Sequence, residues 1–191
     1  MDLATLLERC REGNELAWEA LVRQHQSRVY ALATHYVGNT EEARDVAQEI
    51  FIRIYQNLQR CEDAEHFVPW MIRIARNACI DHLRRRHARP PAQDVPASES
   101  HALVERAPAA DETWQAQGRQ RLLHLALAAL GELNREIILL REIQGLSVQE
   151  TAQILGVPEG TVKSRGSRAR LELARKVLAL SGGQYGSGPV H

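Results

Sequence analysis

Apolar residues recur along this chain at three- and four-residue spacings, and almost no stretch alternates with the period of two that a strand needs. The pattern predicts an all-α protein. A short amphipathic segment over 3–10 comes first. A longer helix follows from about Asn14, with Trp18, Leu21, Val22, Val29, Leu32, Ala33 and Tyr36 on one face and Gly38 at its end. Asn39 reads as an N-cap with Glu42 as its reciprocal partner, opening the most regular helix of the chain. Ala43, Val46, Ala47, Ile50, Phe51, Ile54 and Leu58 form its buried stripe, and Glu41, Asp45, Gln48, Glu49, Ile52, Arg53 and Gln56 lie opposite. Residues 60–67 break the pattern and read as a loop. A third helix over 69–86 turns Met71, Ile72, Ala75, Cys79, Ile80 and Leu83 inward. Trp70, Arg73, Arg76, Asn77, Asp81 and the run Arg84, Arg85, Arg86 lie outside or at its edge.

From 88 to 114 Pro, Ala, Ser and acids dominate without a sustained period, which predicts a flexible linker between two small helical domains, 1–87 and 115–180. The second domain opens with a helix over 115–130, its apolar side made of Leu122, Leu125, Ala126, Ala129 and Leu130. Another over 134–143 buries Ile137, Leu140 and Ile138 and ends at Gly145. A helix-turn-helix pattern occupies 146–173. Ser147 and Glu150 form a capping box, Val148, Ala152 and Leu155 an apolar stripe, Gly156 a C-cap, and Pro158 the first turn of the next helix. Val162, Gly166, Ala169 and Leu173 then line one face, with Thr161, Lys163, Ser164, Ser167 and Arg168 on or beside the other. Hydroxyls, Lys and Arg in front of a small apolar seam suit a DNA major groove, although a solvated amphipathic helix shows the same seam. Residues 181–191 have too little apolar content to fold and read as a frayed tail.

The formal net charge is zero, yet it is unevenly placed. Residues 73–89 hold six Arg against one acid, and residues 160–176 hold six basic side chains against one acid. Phosphate binding depends on such local patches more than on the total, so each domain offers one basic face. No apolar run approaches a membrane span, and the charged start is no signal peptide, so a cytoplasmic protein is expected. Cys10, Cys61 and Cys79 match no zinc spacing and are expected to be reduced and mostly buried.

Ile52 among acids marks a candidate protein-binding face, and an ordinary solvated face with one stray Ile fits that segment equally well. Arg beside aromatic side chains and a polar loop is what partly melted nucleic acid needs, whereas Phe67 and Trp70 as core anchors with Arg at a solvated helix end is the competing account. Asp45 and Glu49 lie one turn apart, as a metal-dependent hydrolase would need, but no His follows at a supporting spacing. A helix-turn-helix regulator of duplex DNA, with the first half as a sensor or dimer module, is the other alternative. No GxxxxGKS or GxxxxGKT run is present, and neither a cofactor nor a catalytic activity is expected.

Three segments in order resemble sigma factors of the extracytoplasmic-function group, in the sigma-70 class. EEARDVAQEIFIRIYQNL resembles the segment that binds core RNA polymerase, FVPWMIRIARNACIDHLRRR the segment that opens and reads the minus-10 promoter element, and ALGELNREIILLREIQGLSVQETAQILGVPEGTVKSRGSRARLEL the domain that reads the minus-35 element. The resemblance implies that Asp45, Gln48, Glu49, Ile52 and Arg53 contact the coiled-coil clamp of the polymerase's largest subunit. It implies that Arg60, Asp63, His66, Phe67, Trp70, Arg73, Arg76 and Asn77 capture flipped bases, with Arg84, Arg85 and Arg86 on the DNA backbone. Thr161, Lys163, Ser164, Arg165, Ser167 and Arg168 become the minus-35 contacts. A membrane-linked anti-sigma factor is the further partner implied. Two positions depart from the family pattern. Gly166 stands where a larger apolar residue is usual, which predicts a less stable recognition helix or a close approach of the helix beneath it. Asn134 stands where a Pro often begins the helix.

Overall fold

In the computed structural model, which describes residues 2–88 and 110–181, the described residues are helical with no strand. The chain divides into two compact units, Met1–Val104 and Glu105–His191. In the first, α1 (Leu3–Arg11) lies on α2 (Glu15–Val37), and α2, α3 (Thr40–Asn57) and α4 (Phe67–Ala88) pack pairwise against one another. The N-caps are side chains that take up otherwise orphaned N–H groups. Asp2 accepts from Thr5 N–H at 2.8 Å, Asn14 from Ala17 at 3.0 Å, and Asn39 from Glu41 and Glu42 at 2.8 and 3.3 Å. Glu42 does not close the expected reciprocal box; its carboxylate reaches across to α4 instead.

The core of this unit is Leu21, Val29, Leu32, Ala33, Ala43, Val46, Ile50, Ile54, Phe67, Met71, Ile72 and Ala75. Most of the stripes read from the sequence are buried here, but Trp18, Val22, Tyr36, Phe51, Ile80 and Leu83 are only partly so. Helix α4 begins at Phe67, two residues ahead of the expected start, which leaves Pro69 in the first turn, where a missing N–H costs nothing. Periodicity left out the buried Ala17, Val37 and Ala78, and also a polar core residue, His25, which is 6% exposed with its ring centroid 5.2 Å from that of Phe67.

In the second unit α5 (Ala110–Ala128) begins five residues ahead of the expected Gln115, and the remainder of the expected linker from residue 89 lies outside the described residues, as does the tail from 182. Helix α6 (Glu132–Ile138) continues through a π-helical turn, Leu139–Ile143, in which Gln144 N–H reaches the Leu139 carbonyl at 2.9 Å. A π turn shifts the face presented by the residues after it, and Ile137, Ile138, Leu139 and Leu140 are all buried. Helices α7 (Val148–Leu155) and α8 (Glu159–Leu180) follow, and α8 packs on α5, α6 and α7.

Candidate nucleic-acid and protein interfaces

The helix-turn-helix is held at both ends by its own backbone and caps. Ser147 Oγ accepts from Glu150 N–H at 3.1 Å, while Ser147 N–H donates to Glu150 Oε2 at 2.6 Å, which completes the capping box. Gly156 closes α7 at φ 66°, in the left-handed region that a side chain disfavours. Pro158 is the N-cap of α8, not a residue of its first turn, and its carbonyl accepts from Thr161 and Val162 N–H. Behind the turn Ile137, Ala152 and Val162 form a buried cluster edged by Leu133, Val148, Leu155 and Val157.

This clamp fixes how α8 is rotated. Val162, Gly166 and Ala169 are buried, Leu173 is half-buried, and Lys163, Ser164, Arg165, Ser167 and Arg168 are exposed together, with Thr161 at the edge. Ser164 and Ser167 donate to the Thr161 and Lys163 carbonyls at 3.3 and 3.2 Å, and Lys163 lies 3.8 Å from Glu159. Arg165 and Arg168 make no ion pair among the described residues. A Cβ at Gly166 would stand 3.5 Å from Ile137 Cγ2, which is ordinary contact, so the close approach expected there is absent. Asn134 Nδ2 donates to Glu172 Oε2 at 3.1 Å and ties α6 to α8, which gives the departure from Pro a local role.

On the first unit, Trp70, Arg73, Asn77 and Arg84 fall at helical spacing along α4. Trp70 is half-buried and the other three are exposed, with no ion pair at Arg73 or Arg84 among the described residues. Arg76 is half-buried beside them, and Arg60 is exposed. Asp63 Oδ1 accepts the backbone N–H of His66 at 2.9 Å and lies 2.8 Å from its Nδ1. That bond raises the His66 imidazole above its ordinary pKa, and the His66 backbone N–H lowers the Asp63 carboxyl below its own. Phe67 is a correction. At 1% exposure, with its ring tilted against those of His25 and Trp70 (5.2 and 5.9 Å between centroids), it anchors the core and has no face to offer a base. Arg85 and Arg86 are exposed at the helix end but already engaged, with Glu49 and Glu42.

The outer face of α3 separates into two parts. Asp45, Gln48 and Ile52 point to solvent, Ile52 at 50% exposure. Glu49 and Arg53 are half-buried and turned toward α4, where Arg53 Nη1 donates to Asp81 Oδ2 at 3.0 Å. Despite partial burial, which opposes it, bonds from Arg53 and Arg85 hold the Glu49 carboxyl below its ordinary value. A groove of about 1000 Å³ runs beside Gln48 and Ile52, walled by Trp18, Tyr30, Phe51 and Tyr55. Periodicity puts Trp18 on the apolar face of α2 and Phe51 in the buried stripe of α3, and it gives Tyr55 no place. The signal was present, since Gln48, Ile52 and Tyr55 lie at i, i+4 and i+7, and Tyr55 is 53% exposed. On α8, Leu171 is 63% exposed, three residues after Arg168. Among the described residues no cluster of three or more His, Cys, Asp or Glu could hold a metal, and the three cysteines are buried thiols. No helix of these residues is long and apolar enough to cross a membrane.

Comparison with known proteins places the chain in a family. Residues 21–89 match the family described as Sigma-70 region 2, and residues 120–173 match Sigma-70, region 4. An RNA polymerase sigma-H factor of Pseudomonas aeruginosa is 36% identical over 86% of this chain and 88% of its own length. An ECF RNA polymerase sigma-E factor of Escherichia coli is 33% identical over 92% of this chain and 94% of its own. Among solved structures, CnrH in complex with the cytosolic domain of CnrY shares the fold, with a TM-score of 0.68 at 24% identity over 93% of this chain and 99% of that one. The sigma factor RpoE of Bartonella quintana, solved with the anti-sigma factor NepR, has a TM-score of 0.61 at 22% identity, over 83% of this chain and 95% of that one. The chain therefore belongs to the sigma-70 family of RNA polymerase sigma factors, in its extracytoplasmic-function group.

Proposed function

We propose that this sigma factor docks on core RNA polymerase through α3 and carries two DNA-binding faces to the two elements of a promoter. Asp45, Gln48 and Ile52, with the aromatic groove beside them, receive the clamp helices of the largest subunit, and Glu49 and Arg53 flank that contact. Trp70, Arg73, Arg76, Asn77 and Arg84 of α4, with Arg60, Asp63 and His66 ahead of it, hold the minus-10 element and its unstacked bases, and Arg85 and Arg86 reach the backbone. Thr161, Lys163, Ser164, Arg165, Ser167 and Arg168 of α8 enter the major groove of the minus-35 element. The single observation that carries this reading is the rotation of α8, which buries its small-residue seam and leaves its Lys, Arg and Ser on one exposed face. Two weak DNA contacts joined through one polymerase gain effective concentration that neither has alone. The chain contributes binding, and the chemistry belongs to the polymerase, in the cytoplasm. An anti-sigma factor restrains it by covering these surfaces; the Bartonella quintana relative is solved in complex with one.

Transcription in vitro with core enzyme tests the assignment. K163A/R168A is expected to lose use of the minus-35 element while retaining core binding, and D45A/I52A to lose core binding while the α8 face stays intact. Tight duplex binding by the protein alone, with no transcription on adding core enzyme, would overturn the reading in favour of a conventional DNA-binding regulator.

A further inference from the structure

The two arginines at the end of α4 that face α3 are each held by a glutamate of α3. Arg85 Nη2 donates to Oε1 and Oε2 of Glu49 at 3.2 and 3.0 Å, and Arg86 Nη1 donates to Glu42 Oε2 at 3.2 Å. Arg53 braces Glu49 and is itself anchored on Asp81, while His82 Nε2 lies 3.4 Å from the same Glu42 oxygen. Arg84, between these and the rest of the basic face, makes no ion pair among the described residues.

A carboxylate presents an arginine with a pair of anionic oxygens, much as a phosphate does. We propose that Glu42 and Glu49 act as internal phosphate substitutes, occupying Arg86 and Arg85 in the isolated protein so that these arginines bind nucleic acid less tightly until the glutamates are drawn elsewhere. The proposal rests on the reading that α3 docks on polymerase and α4 on DNA. A partner that engages Glu49 and Arg53 on α3 then releases Arg85 on α4, which couples the two surfaces through side chains in direct contact. The strength of the pairs suits such an exchange. Their side chains are 34–58% exposed, so each pair is weak enough for a phosphate to replace. Asp45, Gln48 and Ile52 are outside the network, which leaves a docking surface available before the exchange.

The test is fluorescence anisotropy of the full-length protein on a labelled forked DNA duplex, without polymerase, over a salt series. E42Q/E49Q is expected to bind roughly two- to five-fold tighter per released arginine, the range spanned by exposed ion pairs. Its log–log salt slope should steepen by about 0.9 for each added phosphate contact. Adding R85A/R86A should abolish both gains. E8Q/E12Q, on α1 and at its C-cap, controls for the change in total charge. Should the double variant fail to fold, E42Q alone, whose carboxylate pairs only with Arg86 and His82 among the described residues, carries half the effect. Binding by E42Q/E49Q equal to that of E8Q/E12Q, or a gain that survives R85A/R86A, would overturn the proposal. Full promoter opening by R85A/R86A with core enzyme would instead overturn the assignment of these arginines to DNA.

Discussion

Replacing Gly166 with Ala is expected to stabilise the second unit. Gly166 lies inside α8 with ordinary helical backbone, so the substitution removes the entropic penalty of a helical Gly, about 1 kcal/mol. The new methyl would sit 3.5 Å from Ile137 Cγ2, in van der Waals contact and without a clash. Because Gly166 and Ile137 are both buried, that contact adds up to about 0.8 kcal/mol. A total of roughly 1–1.8 kcal/mol corresponds to a rise of about 4–14 °C in Tm, at about 4–8 °C per kcal/mol for a domain of this size. G166L should do the opposite, since its branch must pass Ile137; overpacking of this kind costs about 1–3 kcal/mol. The assay is thermal unfolding of the full chain by circular dichroism. S147A, which removes one half of the capping box, identifies the transition that belongs to this unit. A fall in that transition for G166A would refute the account of the seam.

S147A itself should cost about 1 kcal/mol, the usual price of an N-cap, read as a lower midpoint of the same transition. F67A should destabilise the first unit by about 3–5 kcal/mol, because it empties a fully buried ring site, whereas W70A should leave the fold largely intact and impair promoter opening; paired denaturation and transcription assays separate the two effects. His25 makes the first unit sensitive to acid. Burial, with a smaller contribution from Arg28, lowers its pKa from the ordinary 6.5, and its Nε2 is buried without a partner. The unfolded chain therefore takes up the proton first. The stability that depends on neutral His25 is complete above about pH 6.5 and is lost as the pH falls toward the depressed value, and H25L should flatten that part of the stability profile in urea titrations at stepped pH.

Much of this was legible along the chain because it depends on neighbours within a turn or two. The capping box at Ser147, the left-handed Gly156 and the buried stripe of α3 follow from spacing and backbone preference alone, and so does the exposed row Lys163, Ser164, Ser167 and Arg168. The family resemblance rests on the same local segments. What periodicity could not assign were residues whose environment another helix supplies. Phe67 belongs to the core because His25 and Trp70 close over it, and no spacing within 60–67 records that. Glu49 and Arg53 read as part of one outward face with Asp45 and Ile52, yet the approach of α4 turns them into an ion network with Asp81 and Arg85. Glu42 illustrates the point most directly. Sequence offers it the backbone N–H of Asn39 at local range, and the fold brings Arg86 from 44 residues away. A charged side chain on a helix edge goes to the strongest partner within reach, and only the packing of helices distant in sequence determines what is within reach.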